Sequence, residues 1–374
     1  MLLNDSYSIV IIGAGPAGVG LGVTLQNYGI SNFVILDKDK VGSTFDNWNH
    51  ETHFISPSFT TNGFGYPDLN AVTPNSSPAF SLQSEHPSGQ EYATYLRTVS
   101  LRNQLPVIGN TEVTRIIHNH NSYQLQLSSH QVIEARYVFV GIGDFSYPYS
   151  PEIPGKNFGI HYSSISDYDD FEPTEQTIIG GNEAGFDAAI NLAKRGIRST
   201  IFTDTTAIDS QSPDPSKRLS TFTLNRFLNY MNMIRIVPGK ELISIRKGEP
   251  ERYYLTFSDT TTAVSQTRPI FATGFAACQS PLIKETFEVK NNRPVLNHYD
   301  ESTLYPNIFL IGPQVTHDDV VLCYVYKYRQ RFAPLTEEIL ARNGLIVNPM
   351  ITQAYKDANM YLDNFDECDV DCEC

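Results

Sequence analysis

The chain has no Cys-x-x-Cys pair among its five cysteines, no excess of basic residues, no long apolar run and only one tryptophan. Each absence excludes something. Five cysteines in 374 residues do not make a disulfide framework. With 27 Lys and Arg against 41 Asp and Glu, the net charge is −14. That argues against a nucleic-acid or anionic-membrane surface, since both need clustered cations. No stretch approaches the roughly 20 apolar residues that span a bilayer. The N-terminus enters a strand-like run by Ser8 without the basic region, apolar core or cleavage site of a signal peptide, so a cytoplasmic protein is expected. There is no Ser-His-Asp order, zinc-ligand spacing or Walker-type loop. What is present, 41% hydrophobic residues over this length, suits two or three domains with sizeable cores.

Two segments repeat each other in register: Val10-Ile11-Ile12-Gly13-Ala14-Gly15-Pro16-Ala17-Gly18 and Thr177-Ile178-Ile179-Gly180-Gly181-Asn182-Glu183-Ala184-Gly185. Each follows a β-rich run and opens a helical pattern that closes on a glycine, Gly29 or Gly196. Each is followed by a second apolar run ending in an acid, Asp37 or Asp204. In such a unit the first glycine makes the tight strand-to-helix turn. The second lets backbone approach a pyrophosphate, and the third lets helix and strand pack closely. The helix N-terminus offers N–H groups and partial positive charge, and the acid accepts ribose hydroxyls. Two such units imply two dinucleotides. The second departs from the pattern, because Asn182 holds the middle position. Its side chain would push a pyrophosphate outward unless the residue adopts left-handed geometry.

The order of elements points to a split domain. Residues 50–110 have little regular pattern up to about Pro87, where Ser88 and Glu91 form a capping box for a helix. Three strand-like runs follow, Glu112–His118, Tyr123–Ser128 and Val132–Gly141, and their alternation suggests a meander. A proline-rich connector from Tyr147 to Pro154 leads into the second unit. Further strands are expected at Leu242–Arg246, Tyr253–Phe257, Pro269–Ala272 and Asn307–Ile311, with a long helix from about Asp319 to Arg342. The expected class is α/β with two Rossmann-like dinucleotide-binding domains, the second inserted into a discontinuous first. The expected division is 1–150 and 273–362 for the first domain, 151–272 for the second, and 363–374 for an acidic tail.

This arrangement resembles the two-dinucleotide-binding flavoproteins, and within them the small bacterial flavin-containing monooxygenases. Gly42-Ser43-Thr44-Phe45-Asp46-Asn47-Trp48 sits where those enzymes carry a glycine pair and an aromatic residue along the flavin. His53-Phe54-Ile55-Ser56-Pro57 is similar to their following stretch. Phe158-Gly159-Ile160-His161 resembles a compressed aromatic-glycine-histidine signature, Phe271-Ala272-Thr273-Gly274-Phe275 their Ala-Thr-Gly strand end, and Ile311-Gly312-Pro313 their last strand end. The resemblance implies FAD on the first domain, held by Gly13, Gly15, Pro16, Ala17, Gly18, Asp37, Lys38, Ser43, Thr44, Phe45, Trp48, Val113, Gly141, Thr273, Gly274, Gly312 and Asp319. It implies NAD(P)H on the second, held by Gly180, Asn182, Glu183, Gly185 and Asp204. The bacillithiol disulfide reductase-like flavoproteins share the layout and form a second relative.

Trp48, His53 and His161 are the catalytic candidates. Trp48 walls the flavin or is core; His53 faces flavin or substrate or is a loop histidine satisfied by backbone; His161 orients the nicotinamide domain or is structural. Asp318 and Asp319 read as helix-capping carboxylates. The tail cysteines Cys368, Cys372 and Cys374 lie among acids, which raise thiol pKa. A disordered tail is favoured there over an electron carrier or a soft-metal site. The resemblance implies hydride transfer from NAD(P)H to FAD across the interdomain cleft, then oxygenation of a small soft nucleophile or ketone through a C4a-hydroperoxyflavin. The alternatives are a reductase of a low-molecular-weight disulfide or quinone, and a flavin-bound regulator without turnover. The expected partner is a small-molecule substrate, with no nucleic acid and no membrane; a homodimer is left open.

Overall fold

The computed structural model describes residues 3–59, 67–204, 207–210, 218–250, 252–318 and 320–365. They fall into two compact units. Unit one gathers the described residues of Met1–Asn47, Ser56–Tyr147 and Ala276–Asp369, and unit two those of Trp48–Ile55 and Pro148–Phe275.

In unit one, strand β1 (Ser6–Ile12) leads through the first glycine turn into the helix Pro16–Asn27. That helix is buried from Ala17 to Leu25, as its nearly uniform apolar sequence requires. Strand β2 (Phe33–Leu36) follows, then the helix Gly89–Arg102. The expected capping box starts this helix: Glu91 N donates to Ser88 Oγ at 3.3 Å and Ser88 N donates to Glu91 Oε2 at 2.7 Å. Strands β3 (Val107–Ile108), β4 (Val113–Asn119), β5 (Ser122–Leu127) and β6 (Val132–Val140) complete this part. The sheet order is β3-β2-β1-β6-β5-β4. Strand β6 forks on its outer edge. Val132–Ala135 pairs antiparallel with β5, while Val138–Val140 pairs parallel with Ile308–Leu310, the strand expected at 307–311. The parallel strands end level, with Ile12 beside Leu36 and Val140, and Leu310 beside Val140.

The helix expected from Asp319 does not form there. Thr316–His317 and Val320–Val321 make a two-residue antiparallel ribbon, and Asp318 takes the turn at φ +48°. Two successive valines favour strand, and aspartate tolerates left-handed backbone. The helix begins only at Val325, passes through a 3₁₀ turn at Arg329–Arg331 and continues as Phe332–Arg342. Asp318 therefore caps no helix, and Asp319 lies outside the described residues.

Unit two repeats the theme. Its strands are β7 (Ile160–His161), β8 (Gln176–Ile179), β9 (Ser199–Phe202), β10 (Ile234–Val237) and, after an antiparallel meander of β11 (Leu242–Gly248), β12 (Arg252–Phe257) and β13 (Thr262–Ser265), β14 (Ile270–Phe271). The order β10-β9-β8-β14-β7 is parallel throughout. Strand alternation feeds two cores. Ile178, Ile201 and Ile270 meet Phe186 and Ile190 of the helix Glu183–Lys194, while Ile179 and Phe271 meet Leu255 and Phe257 of the meander.

The division differs from the expected one at three points, the first being that unit two begins at Pro148 rather than 151. Unit two runs to Phe275 rather than 272, and it also holds Trp48–Ile55. That segment is fastened by charge and amide. Glu51 pairs with Lys194 at 3.0 Å and Arg195 at 2.6 Å, where a carboxylate complements the basic end of a helix. Asn49 Nδ2 donates to the carbonyls of Ile165 and Ser166 at 3.2 and 2.9 Å. Among the described residues, no helix is long and apolar enough to cross a membrane.

Unit one also buries a charged pair. Asp300, with no exposed surface, meets Arg331 Nε at 2.9 Å and His317 Nε2 at 2.5 Å. Removing one partner strands the other charge, so Asp300→Ala should lower unfolding free energy by about 3–5 kcal/mol. Urea unfolding measures this; a loss below about 1 kcal/mol would contradict the buried pairing.

Candidate cofactor-binding sites

In unit one the level strand ends bring Gly13, Asp37, Gly141 and Gly312 to one edge of the sheet. Open α/β sheets bind ligands at the carboxyl ends of their strands. Gly13, at φ +106°, makes the turn, and a Cβ on it would lie 2.2 Å from the Gly141 carbonyl oxygen. A Cβ on Gly18 would lie 1.9 Å from the Gly13 oxygen. A Cβ on Gly15, in contrast, would meet no atom within 4 Å. Gly15 thus bounds open space at the N-terminus of the helix Pro16–Asn27, which has no side-chain cap. Pro16 takes the first helical position, where its missing N–H costs nothing. Ala17 is buried and sits 3.4 Å from where a Cβ on Gly312 would be.

Asp37 closes the other side. Its Oδ2 accepts from Ala14 N at 2.7 Å and its Oδ1 from Asp39 N at 2.9 Å, which fixes the carboxylate against the glycine turn. Burial raises its pKa, against these two donors. Thr111 N donates to the Asp37 carbonyl at 2.8 Å, which brings the chain entering Val113 past the same strand end. Lys38 reaches Ser146 Oγ at 3.1 Å. Gly42, left-handed at φ +72°, donates to the Ala14 carbonyl at 3.1 Å and starts the turn Ser43–Asp46. Ser43 is buried there and Thr44 half-buried, but Phe45 turns inward, its ring edge-on to Tyr92 at 5.0 Å. The Phe45 side chain is therefore core, because its apolar ring packs best against the buried tyrosine.

Unit two carries the same closeness without the same opening. A Cβ on Gly180 (φ +111°) would lie 2.3 Å from the Ala272 oxygen, and one on Gly185 2.0 Å from the Gly180 oxygen. Asn182 adopts φ −102°, ψ −168°, nearly the extended conformation of Gly15 at −80°, −170°. The left-handed alternative is not taken, since an extended backbone admits any residue. Its exposed side chain occupies the space that Gly15 leaves free, so a pyrophosphate placed here would lie farther out, against the asparagine amide. Glu183 is engaged elsewhere. Its Oε1 accepts from Ser220 N and its Oε2 from Thr223 Oγ1, at the N-terminus of the helix Thr221–Leu228. A carboxylate suits that positive end and would repel a phosphate, so Glu183 is a helix-capping group rather than a cofactor ligand. Asp204, two residues beyond β9, is exposed; Thr205, Thr206 and Lys217 lie outside the described residues.

Three candidates sit with Thr273 and Gly274 in unit two. Trp48 stacks on Phe54 at 5.3 Å and 30°. His53 is half-buried on the same segment. His161 has a defined tautomer: Nε2 faces the Gly274 carbonyl at 2.9 Å and must donate, while Nδ1 accepts from Ser163 N at 3.2 Å. Gly274 O also accepts from Tyr149 N at 2.9 Å, and Thr273 Oγ1 donates to Tyr149 O. His161, Thr273 and Gly274 thus tie the connector to the end of β14. Sequence reasoning missed the interior that anchors 48–55, where Asp187 accepts from Tyr162 at 2.6 Å, Thr52 at 3.2 Å and Arg226 at 2.9 Å. Polar residues on a helix gave no sign of being buried there. The tail cysteines lie outside the described residues. No group of His, Cys, Asp or Glu among the described residues is arranged to hold a metal ion.

The model of the pyridine nucleotide-disulphide oxidoreductase family matches residues 10–312. The chain belongs to that family. Bacilliredoxin reductase Bdr of Bacillus subtilis is 24% identical over 192 residues, covering 51% of this chain and 55% of that protein. A probable indole-3-pyruvate monooxygenase of Arabidopsis thaliana is 22% identical over 211 residues, covering 51% and 47%. The matched region spans about half the length of these curated relatives. Among solved structures, bacillithiol disulfide reductase Bdr of Staphylococcus aureus superposes with a TM-score of 0.72 at 18% identity, over 91% of this chain and 99% of that one. The flavin-containing monooxygenase of Stenotrophomonas maltophilia gives 0.71 at 19%, over 91% and 100%. Both resemblances drawn from the sequence are therefore met by relatives, and the two-Rossmann fold is shared with them.

Two outcomes follow from the geometry. Gly15→Val should fold with near-wild-type stability yet lose bound flavin, because its side chain enters open space at the cradle. Gly18→Ala should instead destabilise the fold. Flavin absorbance and thermal melting together read both, and a yellow Gly15→Val protein would overturn the cradle. For His161, burial lowers the pKa below 6.5, and the Gly274 carbonyl opposes that only partly. The neutral ring's contribution to stability is complete above about pH 6.5 and is lost as pH falls through the lower folded value. The Tm advantage of wild type over His161→Gln should accordingly shrink from pH 8 to pH 5; a constant difference would refute the neutral tautomer.

Proposed function

We propose that this chain is an FAD-dependent NAD(P)H oxidoreductase of monooxygenase type, acting on a small soft nucleophile or ketone. The observation that carries the reading is the pair of glycine turns, of which the first opens at Gly15 beside a fixed Asp37 carboxylate. FAD, when bound, supplies the redox chemistry, taking two electrons from a reduced nicotinamide and passing them to an acceptor. The chain's own part is positioning. Backbone at Gly13–Gly15 and the free N–H groups of the helix Pro16–Asn27 face the pyrophosphate. Asp37 retains lone pairs for the ribose hydroxyls. In unit two the helix N-terminus at Asn182 and the exposed Asp204 serve the nicotinamide nucleotide, with the Asn182 amide as the added polar group.

Among the described residues, the thiols offer no disulfide relay. Neither described cysteine forms a disulfide, and Cys278 is buried, its Sγ donating to the Asn292 carbonyl at 3.2 Å. Burial pushes its thiol up, away from the thiolate that exchange requires. The deciding experiment uses ¹⁸O₂ with NAD(P)H and a panel of sulfides, amines and ketones. Label in the product supports the monooxygenase. Consumption of NAD(P)H driven by a disulfide or quinone, with no label, would replace it with the reductase. Bound flavin that NAD(P)H does not bleach would indicate a regulator.

Asp204 also sets an expectation for the nucleotide. A carboxylate at that strand end accepts the 2′-hydroxyl of NADH and repels a 2′-phosphate. NADH should reduce the flavin at least as fast as NADPH, and Asp204→Ala should shift the ratio toward NADPH. Stopped-flow reduction with both donors checks this; a tenfold wild-type preference for NADPH, about 1.4 kcal/mol, would defeat it.

A further inference from the structure

The turn Arg329–Arg331 in unit one buries two arginines and provides for them differently. Arg331 is fully served, with Nε on the Asp300 carboxylate and its other nitrogens on the carbonyls of Leu362 and His298. Arg329, only 3% exposed, receives carbonyls alone: Nη1 donates to Asp68 O at 2.5 Å, Ala71 O at 2.6 Å and Leu69 O at 3.3 Å. Among the described residues, its Nε is buried with no hydrogen-bond partner. The Asp68 carboxylate attracts it only through space, since its oxygens accept from Asn70 N, Ser77 Oγ and Ala79 N. Burial pulls the guanidinium pKa down to about 10, so it remains a cation at neutral pH.

Arg329 also lines a pocket of about 370 Å³. Phe59, Pro67, Leu69 and Tyr326 give it an apolar side, and the amides of Gln330 and Asn359 add polar groups. A mostly apolar pocket with a few placed polar groups is how proteins hold small molecules. A buried cation without a carboxylate partner is costly, and a carboxylate is the group whose two oxygens match the guanidinium fork. One cation among apolar walls suits a monoanion rather than a phosphate dianion. We propose that this pocket binds a small apolar monocarboxylate, its carboxylate on Arg329 and its hydrocarbon body against Phe59, Leu69 and Tyr326. The site does not depend on the redox reading above.

Isothermal titration of the protein as purified tests it with phenylacetate and hexanoate, each against its uncharged amide. At least one acid should bind tenfold or more tightly than its amide. Arg329→Met should abolish that preference. Leu69→Trp, which fills the pocket and keeps the arginine, should abolish binding of both acid and amide. Where Arg329→Met fails to fold, the wild-type comparison and Leu69→Trp still decide. Equal binding of acid and amide, no binding of either acid to the wild type, or undiminished binding in Leu69→Trp would overturn the proposal.

Discussion

Where the helix Pro16–Asn27 meets its sheet, backbone touches backbone. A Cβ at Gly18 would stand 1.9 Å from the Gly13 oxygen, and one at Gly13 2.2 Å from the Gly141 oxygen. Gly180 and Gly185 impose the same closeness in unit two. Helix and strand can approach this far only because these positions carry no side chain. The approach is what aims the helix N-terminus at the strand ends, and hence what creates a place for a phosphate. The Ala14 N bond to Asp37 depends on the same turn, since it spans the two strand ends.

The two units then part company at a single position. Gly15 and Asn182 share a backbone conformation and differ in what lies beyond the Cα. One unit leaves a cavity for diphosphate contact with main chain, and the other places an amide there. On the proposed reading, a retained FAD and an exchanging nicotinamide nucleotide would call for such a difference, because buried main-chain contact and displaced side-chain contact differ in how much water they exclude.

Much of this was legible from the sequence. The glycine spacing, the capping box at Ser88 and the return of residues 308–310 to the first sheet all rest on local chemistry or on period-two patterning, which the amino acids display directly. The lapses have physical causes. Val320 and Val321 turned an expected helix start into a ribbon, because β-branched preference outweighed an acidic pair read as a cap. Phe45 and Glu183 stand beside nucleotide motifs yet serve a tyrosine ring and a neighbouring helix. Motif position fixes the backbone of such residues and leaves their side chains to tertiary contacts. Arg329 was invisible, since an arginine in a sequence reads as surface until the carbonyls around it are known.

The attachment of Trp48–Ile55 bears on how such a protein changes over evolutionary time. Glu51 ties the end of the helix Glu183–Lys194, and Asn49 ties the carbonyls of Ile165 and Ser166, from more than a hundred positions earlier in the chain. Unit two is consequently not a portable cassette bounded by 148 and 275. A recombination event that exchanged that interval alone would import a helix whose Lys194 had lost its Glu51 partner, while Arg195 kept Asp167 and Asp169. Moving this unit together with that short, distant strap would keep the Glu51 and Asn49 contacts intact.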